Sequence, residues 1–467
     1  MKTRSKLIGS RAFYKMALGI AVPIMIQNGI SNFVSMLDNL MIGRLGQNAI
    51  SGVAIANQLM FVYFLVIFGA TAGVGIFTAQ YHGTGDTEGV RYTFRFKLIA
   101  NSILTVICIG ILLLFSSALI MKFLKGEGKP EDAAETLKIG QEYMRIMLIG
   151  LIPVGATQAY SGTLRDTGET KVPMIASLVA IIVNLLGNAL LIYGYLGLPA
   201  LGARGAAIAT VISRFVELGV VVIYTATHSS QHKFIIGAFR SLRVPGKLVG
   251  KFILNAIPLM ANETLWSVGM TVMNQSYSFR SLDAVAALNI ENTLWSLLGV
   301  AFLAMGESVG IIVGQELGGG KIDNAKDYAK KLIALTVLFG TVFGVIMLAI
   351  SPVFPLLYKV SDDVRSMATK FIMIYGAMMP FYAYTHASYF TIRSGGKTWL
   401  TMLFDSCFVW IISVPTAFIL SRYTGINILL LVAIVQSLEL IKCLIGGIMV
   451  HSGIWARNIV GSKTASE

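Results

Sequence analysis

The chain has 467 residues, of which 55% are hydrophobic and only 13% charged, with a formal net charge of +14. A mean hydropathy of +0.73 over this length excludes the soluble globular proteins. The 47 glycines suit the close packing of helices within lipid. The composition therefore predicts an all-α polytopic membrane protein.

The first predicted helix is an apolar run that begins near Met16 and ends at Asp38. Basic residues precede it without a small-residue cleavage site, so we interpret it as a retained transmembrane helix and not a signal peptide. A carboxylate in such a span is a functional-site candidate, because burying it costs about 3 kcal/mol. The alternative is that Asp38 lies at the interface and pairs with Arg44. Pro23 removes a backbone hydrogen bond from this helix and predicts a conformational kink.

Hydropathy predicts twelve transmembrane helices along the chain. They cover residues 16–38, 50–79, 96–118, 140–163, 172–195, 205–227, 252–277, 284–313, 331–356, 370–392, 400–420 and 427–450. Of the 37 Lys and Arg residues, 23 fall on the side that holds both termini, 11 on the other side and three within spans. The positive-inside rule then places both termini in the cytoplasm of a plasma (inner) membrane protein. The positive charge is thus explained by topology, and no nucleic-acid partner is expected.

An internal repeat relates the two halves of the chain. A shift of 235 residues pairs Pro23 with Pro258, Ile55 with Ile290, Asn57 with Asn292, and Gln80 with Gln315. We predict an N-terminal six-helix lobe over 1–227, a cytoplasmic linker loop over 228–250, and a C-terminal six-helix lobe over 251–467. Because six is even, both lobes enter the membrane in the same sense. Parallel repeats of this kind rock around a central site to give alternating access.

Acidic residues break the repeat symmetry. Asp38 matches Met273, and Glu263 matches Asn28, so neither carboxylate is kept for packing in both halves. Glu263 precedes Trp266 in the run Asn-Glu-Thr-Leu-Trp, and Glu291 begins a near-copy of it. A carboxylate beside a tryptophan can hold an organic cation through charge and cation–π attraction, although Trp is also common in membrane helices as packing or as an interfacial belt. We predict a substrate-binding or second acidic site here.

Polar side chains in the fifth and sixth helices suggest a partner for Asp38. Asn184 and Asn188 are four residues apart and share a helix face, and Thr210 follows in the next helix. A carboxylate, two amide oxygens and a hydroxyl form a possible Na⁺ site, or can tune a protonatable Asp38. The alternative is ordinary hydrogen bonding between helices, at about 0.6 kcal/mol per bond.

Two further pairs of charged residues are predicted to neutralise themselves. Arg214 and Glu217 are three residues apart, as are Glu439 and Lys442, so each pair shares a helix face. The sequence leaves the roles of Glu307, His386 and Asp405 open.

Several motifs resemble the multidrug and toxic compound extrusion (MATE) family of secondary antiporters. They are Pro23 with Asp38 fifteen residues later, the run 38–43, the run 162–173, Asn184 and Asn188, and the run 202–210. The resemblance covers nearly the whole chain and implies two pseudo-symmetric six-helix bundles arranged in a V. It also implies that Asp38, Asn184, Asn188 and Thr210 form the cation-coupling site.

The resemblance implies less about the C-terminal lobe. Glu263 matches an acidic residue that the bacterial branch uses, but Tyr382 stands where that branch often has an Asp. Asn188 matches a position that is acidic in the branch usually discussed as proton-driven. Because this chain has an amide there, the resemblance favours the drug/sodium-type branch. We therefore expect the cation-coupling site in the N-terminal lobe, and Tyr382 is a candidate residue of the second site.

We expect an antiporter that exports cationic amphipathic drugs or toxic compounds in exchange for Na⁺ or H⁺. The alternative is a flippase or exporter of a lipid-linked saccharide or another amphipathic metabolite. No catalytic motif or nucleotide-binding loop is present in the sequence, so we expect no enzyme, no cofactor and no direct use of ATP. The expected partners are organic cations and the lipid bilayer, and the expected state is a monomer.

Overall fold

The structure, a computed structural model, describes residues 7–124, 130–197 and 199–461. In these ranges the chain forms long helices joined by short connections, without β-strands. The all-α prediction is therefore confirmed. Several helices extend well beyond the predicted spans: α2 has 38 residues, a length of about 57 Å at 1.5 Å per residue. Such helices are longer than a hydrocarbon core of about 30 Å and continue past it.

Twelve helices follow one another in the described residues. They are α1 (Arg11–Gly43), α2 (Gln47–Thr84), α3 (Thr87–Leu124), α4 (Pro130–Asp166), α5 (Lys171–Tyr193), α6 (Ala203–Thr227), α7 (Gly246–Ser278), α8 (Leu282–Leu298 and Val300–Gly318), α9 (Ile322–Ile350), α10 (Asp362–Ser394), α11 (Thr398–Tyr423) and α12 (Ile428–Ser452). Three of them are irregular: α8 is interrupted at Gly299, α11 contains π-helical turns over Leu403–Cys407 and Val409–Ser413, and α12 is interrupted at Leu438.

Nine of these helices, within the described ranges, are long and apolar enough by themselves to cross a membrane. The other three, α4, α7 and α10, contain more polar and charged residues. Each of them contains an internal proline, at Pro153, Pro258 and Pro380. Burial of these polar faces against the other helices of a bundle is the usual way in which such helices are accommodated in lipid.

The chain divides into two compact units. One comprises Ile26–Thr78 and Thr87–Ile253, and the other comprises the described residues of Met1–Met25, Ala79–Asp86 and Leu254–Glu467. We refer to them as the N-terminal and C-terminal units. The core of the N-terminal unit packs residues of α2 and α4, including Met60, Ile67 and Met144, at 1% exposure or less.

The C-terminal unit has two apolar cores. One packs the start of α1 against α8, α9 and α10, and it also buries Trp455, which follows α12. The other packs α7, α8 and α10 against α11 and α12, around residues such as Tyr277, Phe302 and Phe371. The second core surrounds several polar side chains of the predicted second acidic site.

An arginine on α3 holds part of the predicted linker loop. The Arg95 guanidinium donates hydrogen bonds to the carbonyl oxygens of Gly237 (2.7 Å), Ala238 (2.8 Å) and Arg243 (3.3 Å). Arg91 donates weaker bonds to Lys233 and Phe234, at 3.4 and 3.3 Å. These bonds join side chains of α3 to backbone carbonyls of the loop and fix the loop on the N-terminal unit.

Replacing Arg95 should release this loop. An Arg95→Lys variant keeps the charge but cannot form the forked set of bonds, each of which contributes about 1.5–3 kcal/mol when one partner is charged. We expect amide hydrogen exchange over 237–243 to become at least about tenfold faster. Arg91→Lys is the matched control, and it should affect only 233–235. Unchanged exchange over 237–243 in Arg95→Lys would contradict this assignment.

A buried ion pair fixes the end of α4 to α3. Lys97 Nζ lies 2.6 Å from Asp166 Oδ2, and the Lys97 side chain is fully inaccessible to solvent. Gly75 makes room for this pair, because a Cβ atom there would lie 2.7 Å from the Asp166 carboxylate. Asp166 belongs to the run 162–173 that carries part of the family resemblance. The structure gives this part of the motif a packing and charge-pairing role.

Removing the acid of this pair should destabilise the protein strongly. Asp166→Asn leaves the Lys97 ammonium buried without its counter-charge, which costs about 3–5 kcal/mol. The control is Asp362→Asn, since Asp362 is 95% exposed in its pair with Arg365 and such surface pairs contribute only about 0–1 kcal/mol. Thermal unfolding in detergent should show a large fall in Tm for Asp166→Asn alone. Equal Tm changes in the two variants would contradict the buried-pair argument.

Candidate functional site

Three helices of the N-terminal unit bring the four predicted coupling residues together. Asn188 of α5 donates a hydrogen bond from Nδ2 to Asp38 Oδ1 of α1 at 2.7 Å. The same Nδ2 lies 3.3 Å from Asn184 Oδ1, and Asn184 Nδ2 lies 3.1 Å from Thr210 Oγ1 of α6. The i, i+4 spacing of the two asparagines explains why both face Asp38. We call Asp38, Asn184, Asn188 and Thr210 the Asp38 cluster.

The Asn184 amide is better satisfied with its oxygen and nitrogen exchanged. In that orientation its nitrogen donates to both carboxylate oxygens of Asp38, at 3.1 and 3.2 Å, and its oxygen accepts from Thr210 at 3.1 Å. Amide donors aimed at a carboxylate stabilise its ionised form. These amide donors therefore offset part of the cost of burying an ionised Asp38.

The cluster also contains acceptor atoms that a cation could use. Asn188 Oδ1 is buried and forms no hydrogen bond with the described residues. Together with the Asp38 carboxylate and the Thr210 hydroxyl, it supplies the hard oxygen donors that a cation such as Na⁺ prefers. The donor chemistry fits Na⁺, and the carboxylate also fits H⁺.

Nearby residues that the sequence did not nominate support the cluster. Tyr143 of α4 donates to Asn57 Oδ1 of α2 at 3.3 Å, and Asp38 acts electrostatically on the Tyr143 hydroxyl. Tyr193 donates to the Met41 carbonyl at 3.0 Å and so ties the end of α5 to α1. Asn57 could have been singled out from the sequence, because it is one of the residues kept in the internal repeat.

One of the two predicted charge pairs forms in the structure, and the other does not. Arg214 and Glu217 form an ion pair at 2.9 Å, as expected. The predicted pairing of Lys442 with Glu439 is wrong, because Lys442 Nζ lies 2.6 Å from Asp405 Oδ1 of α11. Glu439 instead accepts a hydrogen bond from Thr385 of α10. Helical spacing allowed the local pair, but α11 places a competing carboxylate beside the ammonium.

Asn262 of α7 precedes Glu263 in the chain and bonds to Asp405 of α11. Asn262 Nδ2 donates to Asp405 Oδ2 at 3.0 Å, and its Oδ1 accepts from Ser406 Oγ at 2.6 Å. Tyr389 donates to Glu263 Oε1 at 3.4 Å. Glu263 therefore lies in a polar network that includes a fixed ammonium, whereas Trp266 is 40% exposed on the same helix.

Glu291 and Tyr382 lie in the second core of the C-terminal unit. Glu291 is 0% exposed, and both of its carboxylate oxygens are without a hydrogen-bond partner among the described residues. Tyr382 donates to Gln436 of α12 and packs against Trp295 with ring centroids 5.0 Å apart. His386, one turn from Tyr382, is buried against Phe302 and Phe390. Pro23 is buried within α1, and the conformational kink there stays a prediction.

A family model described as MatE matches residues 23–190 and 258–419. The two matched segments begin at Pro23 and Pro258, 235 residues apart, which is the shift of the internal repeat. Over 421 residues the chain is 24% identical to the probable multidrug resistance protein NorM of Thermotoga maritima, covering 89% of this chain and 87% of the relative. It is 24% identical over 413 residues to the probable multidrug resistance protein YoeA of Bacillus subtilis, with 87% of each chain covered.

Solved structures support the same fold. One described as the outward-facing conformation of a multidrug resistance MATE family transporter matches with a TM-score of 0.84 and 16% identity, over 95% of this chain and 97% of that chain. A transporter of the MOP superfamily from Pyrococcus furiosus matches with a TM-score of 0.81 and 16% identity, over 96% and 97% of the two chains. The predicted fold class is therefore confirmed.

The match also confirms that the chain is a multi-pass membrane protein and not an enzyme. A family model that covers both repeats, agreement with curated relatives over most of the chain, and the shared helical architecture all lead to the same assignment. The chain belongs to the MATE family of transporters.

Proposed function

We propose that this transporter exports cationic amphipathic drugs or toxic compounds in exchange for inward Na⁺ or H⁺ by alternating access. Its place is the plasma (inner) membrane, with both termini in the cytoplasm, and it works as a monomer without ATP. The curated relatives named as probable multidrug resistance proteins support the substrate class. The observation that carries the proposal is a carboxylate within a membrane-spanning helix, bonded to a neutral cluster of amide and hydroxyl groups.

The Asp38 cluster supplies a simple exchange mechanism. When Asp38 is ionised, its charge favours an organic cation in the transporter. Entry of Na⁺ or H⁺ from outside neutralises the carboxylate and removes that attraction, so the drug is released. The two ligands therefore compete through coupled free energies, and a gradient of one drives the other.

The alternative of a lipid-linked saccharide flippase receives less support. A phosphate-bearing substrate requires basic residues at membrane depth that are available to bind it. Of the three basic residues within the predicted spans, Lys442 pairs with Asp405 at 2.6 Å and Arg214 pairs with Glu217 at 2.9 Å. The charges of two of the three basic residues are therefore already paired within the protein.

Replacing the Asp38 carboxylate should abolish coupling. We expect Asp38→Asn to insert and fold normally but to lose efflux of a fluorescent lipophilic cation from proteoliposomes under separately imposed Na⁺ and pH gradients. In wild type, the gradient that drives efflux identifies the ion. Glu217→Gln is the matched control, since it also removes a buried acid from the N-terminal unit. Full gradient-driven efflux by Asp38→Asn would refute the coupling role.

Replacing Asn188 should weaken coupling without abolishing the fold. Asn188→Ala removes the N–H donated to Asp38, and a bond of this kind to a charged group contributes about 1.5–3 kcal/mol. We expect the initial rate of gradient-driven efflux to fall by about 10–100-fold, since 1.4 kcal/mol corresponds to about a factor of ten.

The matched control is Asn101→Ala. Asn101 is also a buried asparagine of the N-terminal unit, but it bonds to Thr71 and to the Gly155 carbonyl, outside the Asp38 cluster. Its replacement should lower the Tm while leaving the dependence of efflux on ion concentration unchanged. Equal changes in ion dependence in the two variants would show that Asn188 acts only through stability.

A further inference from the structure

Glu291 is the buried acid that the proposed mechanism leaves unexplained. It lies in the first segment of α8 at 0% exposure, and neither carboxylate oxygen accepts a hydrogen bond from the described residues. Among the described residues no basic side chain forms an ion pair with this carboxylate. An ionised carboxylate in such a place is far more costly than a neutral carboxylic acid.

The described groups that interact with Glu291 are two tyrosines of α10. Glu291 acts electrostatically on Tyr375 and Tyr382, which pack against the second apolar core, and Tyr277 of α7 acts on the same two tyrosines. Gln436 of α12 donates to the Tyr375 hydroxyl at 2.8 Å and accepts from Tyr382, so it fixes both hydroxyls. Beyond Tyr382 lie the charged or titratable groups of α12. They are Glu439, Lys442 and Cys443.

The Lys442 ammonium, which lies in the same unit as Glu291, is already paired with another acid. Lys442 is bonded to Asp405 on α11 at 2.6 Å, and Asp405 is also held by Asn262. Glu439 accepts its own hydrogen bond from Thr385. The charges of Asp405 and Lys442 are thus paired with each other, and among the described residues the groups that interact with Glu291 are the neutral hydroxyls of α10.

The close packing around Glu291 restricts which ligand can bind to its carboxyl group. Trp295, one turn after Glu291, packs edge-on against Tyr375 and Tyr382, with ring centroids 5.9 and 5.0 Å apart. With Glu291 itself inaccessible, an organic cation does not fit beside it in this conformation. A sodium ion requires several oxygen ligands directed at it, whereas two of the surrounding hydroxyls are bonded to Gln436. A proton needs only the carboxyl itself.

We propose that Glu291 is a second proton-binding carboxyl of this transporter, protonated in this conformation and deprotonated once per transport cycle. The O–H bond of the carboxylic acid breaks when the C-terminal unit opens to the cytoplasm, and the proton passes to water there. It is replaced from the outside in the next cycle. The proposal rests on the proposed antiport and adds to it a proton carried independently of Asp38.

Infrared spectroscopy tests the protonation directly. Purified full-length wild type at neutral pH should show the carbonyl stretch of a protonated carboxylic acid, and Glu291→Gln should lack it while Asp38→Asn retains it. Addition of tetraphenylphosphonium should remove the band from wild type, because the substrate drives the cycle. If Glu291→Gln does not insert, Glu291→Asp serves instead and should shift the band. A spectrum unaffected by either substitution overturns the proposal.

Transport measurements test whether the proton takes part in the cycle. The number of protons exchanged per tetraphenylphosphonium, found from the opposing gradients at which net flux stops, should be lower by one in Glu291→Gln than in wild type. Glu217→Gln, which removes a paired acid, should keep the wild-type number. An unchanged number in Glu291→Gln means that the residue is permanently neutral and refutes the proposal.

Two further outcomes separate this inference from the proposed function. If Asp38→Asn retains full gradient-driven efflux while the Glu291 band responds to substrate, the role of Asp38 fails and that of Glu291 stands. If adding Na⁺ at constant pH removes the band from wild type and removing Na⁺ restores it, the site binds Na⁺ and the proton assignment is overturned.

Discussion

The high cost of an uncompensated charge in lipid is the constraint on which this structure depends. Hydrocarbon offers no water to a carboxylate, so each acid inside the transporter needs hydrogen-bond donors, a counter-charge or a proton. Asp38 receives amide donors from Asn188, and Asp405 receives the Lys442 ammonium. Glu291, for which we propose a proton, receives neither from the described residues.

These three solutions imply different responses to a cation. The Asp38 carboxylate is stabilised by neutral groups, so its charge can be neutralised and restored without breaking an ion pair. Asp405 already has a fixed counter-charge, which makes exchange with an external cation unfavourable. Its network, through Asn262 and Ser406, also lies in the π-helical part of α11, where the helical bonding is irregular. The local geometry thus favours Asp38 over Asp405 as an exchange site.

The two repeats have diverged mainly in these polar residues. The repeat positions retain Pro23 and Pro258 in α1 and α7, but the acids fall at non-equivalent positions. In the N-terminal unit the partners of the acid come from α5, one turn apart. In the C-terminal unit the partner of Glu263 comes from α10, and the partners of Asp405 come from α7 and α12. The two halves of the repeat therefore carry two different polar networks, because a few polar side chains decide the electrostatics of a bundle without changing its apolar packing.

The sequence by itself predicted the helices, and its resemblance to the MATE family named the members of the Asp38 cluster. Long apolar runs are strong signals because only helices satisfy their own backbone bonds in lipid, and the i, i+4 spacing of Asn184 and Asn188 fixed a shared face. The ends of the helices were predicted less well, since a helix such as α3 continues past the hydrocarbon. The choice of Asp405 for Lys442, the support of Asn57 by Tyr143 and the isolation of Glu291 were decided by tertiary structure. Each depends on which side chains of distant helices meet, and local spacing contains no information about that.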